Sequence, residues 1–217
     1  MTTASRASLR FLAWIGAFWS LAGAASAHPL DELAQASYVE VGRARVAVEL
    51  NLTPGERVAG KYFASLDENK DGTLSPAERG VCEKRVLGDL RLSLDGKPLA
   101  PTLARSEFPT DAILKSGGGS VKLFATTDFA PLAPGKHVLR YENRHEPLKS
   151  GYLVAVLVGK DGAAVGTQSR DDRQQALTLE FSTPAAPSSP LLPGLGAGLI
   201  ALGAAVFAFR RWRQRRR

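Results

Sequence analysis

Twelve consecutive residues constrain this chain more than any other stretch of it: Asp67-Glu68-Asn69-Lys70-Asp71-Gly72-Thr73-Leu74-Ser75-Pro76-Ala77-Glu78. Side chains ending in oxygen stand at the first, third, fifth, ninth and twelfth places, and a glycine stands at the sixth. A calcium ion takes about six to eight hard oxygen ligands, so a loop that binds one must turn sharply and still bring back a bidentate carboxylate. The pattern supplies these parts in the order of an EF-hand. Asp67, Asn69 and Asp71 offer side-chain oxygens, Thr73 its carbonyl, Ser75 its hydroxyl directly or through water, and Glu78 both carboxylate oxygens. Gly72 permits the left-handed backbone of the turn, and Leu74 is expected to pack inward. Three carboxylates imply modest calcium affinity, about 10⁻⁴–10⁻³ M as in extracellular modules. The bland alternative is a degenerate loop folded by hydrogen bonds alone.

Both flanks of the loop are spaced as helices. Val58, Tyr62, Phe63 and Leu66 lie on one helical face before it. After it, Ser75 is an N-cap, Pro76 suits the first helical position, Glu78 closes a capping box, and the helix runs towards Leu87 and stops near Gly88. The helix-loop-helix therefore spans residues 55–88. No second loop accompanies it, because Asp95-Gly96 and Asp161-Gly162 lack the other ligands. A lone EF-hand is expected to pack on the rest of the domain or on a partner.

The surroundings read as β-structure. Val39 and Val41, then Val46, Val48, Leu50 and Leu52, alternate about a Gly42-Arg43 turn as a hairpin. Leu90, Leu92 and Leu94 lead into an Asp95-Gly96 turn with a return over Leu99 to Leu103. Val121 to Ala125, Val138 to Glu142, Tyr152 to Val158 and Ala176 to Phe181 add strands between Gly, Pro and Asp turns, with Gly117-Gly118-Gly119 as a loop. The expected fold is mainly β: an antiparallel sandwich-like domain of about seven strands over residues 28–182, with the helix-loop-helix inserted after the first hairpin.

The two ends place that domain. Arg6 and Arg10, an apolar run from Phe11 to Ala24 and Ala25-Ser26-Ala27 have the order of a secretory signal over residues 1–27. Cleavage after Ala27 would make His28 the mature N-terminus; an uncleaved anchor helix is the alternative. Residues 183–190 form a Pro- and Ser-rich linker, and residues 191–209 an uncharged apolar run followed at once by six arginines in residues 210–217. That is the layout of a single membrane span with its basic tail in the cytoplasm and the domain facing the periplasm or exterior. A sorting signal removed by a processing protease shares that layout.

The formal charge of +7 points to an acidic partner only until the charges are located. The signal holds 2 basic residues and the tail 6, leaving 20 against 21 acidic residues between them. The exported segment is close to neutral, which removes the main argument for nucleic-acid binding. Cys82 is the one cysteine; it excludes an internal disulfide, and its spacing with Val86 and Leu90 suits a buried apolar residue. His28, His137 and His145 show no ligand spacing with one another. A free amine and imidazole at His28 could bind nickel, cobalt or copper, with His137 or His145 brought near by the fold; the alternative is an exposed terminus and two strand-end residues. No nucleophile motif or zinc-binding pair stands out, so an enzyme is not expected.

The start His28-Pro29-Leu30-Asp31-Glu32-Leu33, the early β-segment, the EF-type loop and Tyr141-Glu142-Asn143-Arg144-His145 resemble the extracytoplasmic N-terminal domains of nickel/cobalt permeases of the HupE/UreJ and NicO type. The resemblance covers about Ala27 to Phe181. This chain departs from those permeases in having one apolar span where a transporter needs several, and in lacking their His- and Asp-rich transmembrane motifs. The resemblance therefore implies a stand-alone accessory domain, a calcium-binding module acting with a separate metal-ion permease or another envelope protein. Metal delivery through His28, or an unrecognised envelope enzyme or structural protein, are the alternatives.

Overall fold

The computed structural model describes residues 30–159 and 163–184. The readings of a signal at residues 1–27, a metal-binding His28, and a span and tail at residues 191–217 lie outside them, as do most of the linker and the Asp161-Gly162 pair. No helix among the described residues is long and apolar enough to cross a membrane.

The described residues form two five-stranded sheets. In order it runs β1 (Leu33–Val41), β2 (Arg45–Pro54), α1 (Glu56–Leu66), α2 (Pro76–Asp89), β3 (Leu90–Leu94), β4 (Lys97–Leu99), β5 (Thr102–Glu107) and α3 (Asp111–Lys115). Then come β6 (Val121–Asp128), β7 (Gly135–Asn143), β8 (Ser150–Val158), β9 (Ala164–Arg170) and β10 (Ala176–Thr183). The first sheet has the order β5-β6-β2-β1-β8 and the second β4-β3-β7-β10-β9.

Period-two alternation builds the core from both sheets. Val46, Val48, Leu50 and Leu52 of β2 join Leu123 of β6, Leu139 of β7, Leu179 and Phe181 of β10 in one buried cluster. Tyr62, Phe63 and Leu66 of α1 and Cys82 and Val86 of α2 enter the same cluster, so the helices share the β-core. The expected apolar role of Cys82 matches its burial, which pushes its thiol up to about 11. A polar seam also crosses the core: Tyr141 donates to Ser37 Oγ at 2.8 Å, and Asn143 Nδ2 to Gln35 Oε1 at 2.8 Å. Gln35 in turn donates to the His145 carbonyl at 2.7 Å. Each group in this seam finds a partner, as burial requires.

Three expectations need correction. The sheets are not wholly antiparallel, because β8 runs parallel to β1 from Leu33↔Ser150 to Val41↔Val158. Residues 144–149 carry the chain from the second sheet to the start of β1, and side-chain alternation says nothing about direction. The expected return strand Leu99 to Leu103 is two strands in two sheets: β4 ends at Leu99 and β5 pairs with β6. Pro101 between them lacks the N–H that would continue the ladder. Ten strands form among the described residues rather than about seven, the additions including the polar edge strand β9. The Asp95-Gly96 turn forms as expected, both residues having positive φ (50° and 79°).

Candidate metal centre

The helix-loop-helix begins where Asp67 ends α1, its N–H still bonded to the Phe63 carbonyl. The loop then turns through two left-handed residues, Lys70 (φ 60°) and Gly72 (φ 84°). At Gly72 a side chain would be strained whatever space surrounds it. Ser75 caps α2, with Pro76 in the first turn and both halves of the capping box formed with Glu78.

Asp67, Leu74 and Glu78 are buried, at 7 %, 4 % and 6 % exposure. Asp67 collects the N–H groups of Asp71 on Oδ1 (3.2 Å) and Gly72 on Oδ2 (2.9 Å). Asp71 Oδ1 accepts from the Thr73 amide and hydroxyl, both at 2.8 Å, and Oδ2 from Asn69 Nδ2 at 2.9 Å. Glu78 Oε1 accepts from the Asn69 amide at 3.2 Å, and Oε2 from the Ser75 amide and hydroxyl at 2.9 and 2.7 Å. The Thr73 hydroxyl leads the donors that hold the Asp71 carboxyl below its usual range, and the Ser75 hydroxyl does the same for Glu78.

The six residues read as ligands are thus gathered in one turn, with their carboxylates spent on the loop's own donors. Among the described residues, no group of three or more His, Cys, Asp or Glu side chains is arranged to hold a metal ion. The donor chemistry nevertheless fits a hard cation, since both Asp67 oxygens, Asp71 Oδ2 and Glu78 Oε1 each accept a single donor and keep further lone-pair capacity. Ser75 and Glu78 are bonded to each other, and Glu78 also reaches back to the Asn69 amide.

Sequence reasoning missed α3. Leu74 N–H donates to Asp111 Oδ2 at 3.4 Å, and the Leu74 carbonyl accepts from Arg79 Nε at 3.1 Å. Lys115 Nζ donates to the Gly72 carbonyl at 2.6 Å and sits 4.2 Å from the Phe63 ring centroid. The loop therefore docks on its own domain, through a five-residue helix too short for periodicity to reveal. Its one sequence signal is Thr110, whose hydroxyl accepts from the Ile113 amide.

No family model and no curated protein matches this chain. The residues themselves must carry the functional reading.

The other histidines are not brought together. His137 Nδ1 lies 2.7 Å from Asp95 Oδ2 and its Nε2 2.9 Å from the Ala133 carbonyl. His145 lies beyond the other end of β7, its Nδ1 2.8 Å from Asp89 Oδ2. The six strand residues of β7 beyond His137 span roughly 20 Å before the chain reaches His145, so the two do not form one site.

Proposed function

We propose that Asp67–Glu78 is a solitary calcium-binding loop that stiffens a membrane-tethered β-domain, and that this domain is an extracytoplasmic accessory module contacting a metal-ion permease or another envelope protein. The observation that carries the calcium reading is the loop itself: a left-handed Gly72, with the carboxylates of Asp67, Asp71 and Glu78 each bonded to backbone N–H groups of the one segment that joins α1 to α2. Asp67, Asn69, Asp71, Thr73, Ser75 and Glu78 would hold the ion, which would supply charge neutralisation and rigidity. The docking of Leu74 onto Asp111 and Arg79 favours a structural role over a signalling one, because the loop's backbone is already engaged within its own domain. The tether rests on the apolar and basic sequence of residues 191–217, and the permease partner on the resemblance alone.

Calorimetric titration of the full-length chain tests the site. Calcium is expected to bind with a dissociation constant of about 10⁻⁴–10⁻³ M, and Asp67→Ala to abolish the heat. Nickel titrated into the chain processed after Ala27, so that His28 carries the free amine, tests the His28 alternative. Calcium heat unchanged in Asp67→Ala would refute the assignment.

A further inference from the structure

Four strands form the edges of the two sheets, and three of them carry features that discourage further pairing. β5 holds Arg105 and Glu107 and a register shift after Leu103. β4 is three residues long and contains Lys97 and Pro98. β9 is polar, ends in Arg170, and meets β10 across a register shift. Charges, proline, bulges and short length are the usual protections of a sheet edge. β8 has none of them in its own sequence, although Arg170 of β9 reaches its outer edge: Ser150–Val158 is nine residues without a charge or a proline, in unbroken register with β1. Leu153, Leu157 and Val158 stand exposed on it at 46, 44 and 62 %.

The sequence of this edge says what fits it. Gly151-Tyr152-Leu153-Val154-Ala155-Val156-Leu157-Val158-Gly159 reads the same in both directions except for Tyr152 and Val158. A two-fold interface requires a self-complementary patch, with residue i on j and j on i. Antiparallel pairing about Ala155 supplies it, setting Leu153 against the partner copy's Leu157, and Tyr152 against the partner copy's Val158. The latter is an aromatic and β-branched pair of the kind that stabilises sheets.

The backbone has the parity this pairing needs. The Lys149 carbonyl faces β1, where it accepts from Leu33 N–H, while the Val154 carbonyl faces away and accepts from Arg170 Nε at 2.9 Å. Val154 and Val156 therefore both present their peptide groups to the outer edge, and the symmetric register sets each opposite the other. The Arg170 bond occupies one lone pair of the Val154 carbonyl and leaves a second for a partner amide.

We propose that β8 is a homodimer edge: two copies of this chain pair β8 to β8 antiparallel about Ala155, joining their five-stranded sheets into one ten-stranded sheet. Cross-linking of full-length variants that each add one cysteine beside the native Cys82 tests both the partner and the register. In a non-hydrogen-bonded antiparallel pair at the two-fold axis the Cα atoms lie about 4.5 Å apart, within disulfide reach. Residue 153 would lie roughly 13 Å from its own copy. Native Cys82 is buried and adds little background. Under mild oxidation Ala155→Cys is expected to give covalent dimer in at least fivefold greater yield than Leu153→Cys, or than Glu49→Cys on β2. Adding Leu157→Lys to Ala155→Cys should cut that yield at least fivefold. Equal yields at the three positions would mean random collision and overturn the proposal. A monomeric chain with no Ala155→Cys dimer would also overturn it, leaving the edge to a strand from a different protein.

Discussion

Tyr62 and Tyr141 bring the same hydroxyl into the same core and meet different partners. Burial pushes both phenols well above their usual range, but Tyr141 donates to Ser37, whereas Tyr62 Oη has no protein partner among the described residues. Tyr141→Phe is expected to lower stability by about 1 kcal/mol, because it leaves the buried Ser37 hydroxyl without its donor. Tyr62→Phe breaks no protein bond and should leave the melting temperature unchanged or higher; denaturant melts of the two variants provide the comparison. The histidines form a second contrast. Burial lowers His145, with Asp89 opposing it, while the Asp95 hydrogen bond raises His137. The stability that His145 supplies as a neutral group is complete above the unfolded value of 6.5 and is lost as pH falls through its folded value. The contribution of His137 is complete below 6.5 and is lost as pH rises through its folded value. Stability curves against pH should therefore flatten on the acid side in His145→Gln and on the alkaline side in His137→Gln.

Among the elements, α3 decides how the loop sits. Lys115 ties the Gly72 carbonyl to the domain and also brings a positive charge towards Asp71, one of the proposed calcium ligands. Lys115→Met should raise calcium affinity modestly, by about 0.5–1 kcal/mol for an exposed charge, a change that titration would detect; lower affinity would mean that docking matters more than charge. How far such features can be read beforehand depends on their range. The β1–β2 hairpin, the flanking helices and the Asp95-Gly96 turn were legible because alternation, capping and left-handed turn residues are local. The parallel pairing of β8 on β1 was not, since it joins residues more than a hundred positions apart. Nor was β9, whose exposed polar sequence carries no buried face. At the site the sequence named the loop residues, while Asp111 and Lys115 emerge only when α3 folds onto it.

Across the whole molecule, the calcium reading and the fold meet in the shared core. Phe63 and Leu66 lead into the loop, Leu74 lies within it and Cys82 and Val86 follow it, all in the cluster that joins the two sheets. An ion that fixes the loop should therefore stabilise the β-domain as a unit, since binding to the folded state alone adds free energy by mass action. The most direct test is the melting temperature of the full-length chain with and without calcium, beside Asp67→Ala. At ten times the dissociation constant calcium should add about 1.4 kcal/mol, a rise of roughly 3–6 °C for a domain of this size, and Asp67→Ala should show none. An identical melting temperature with and without saturating calcium would contradict the account.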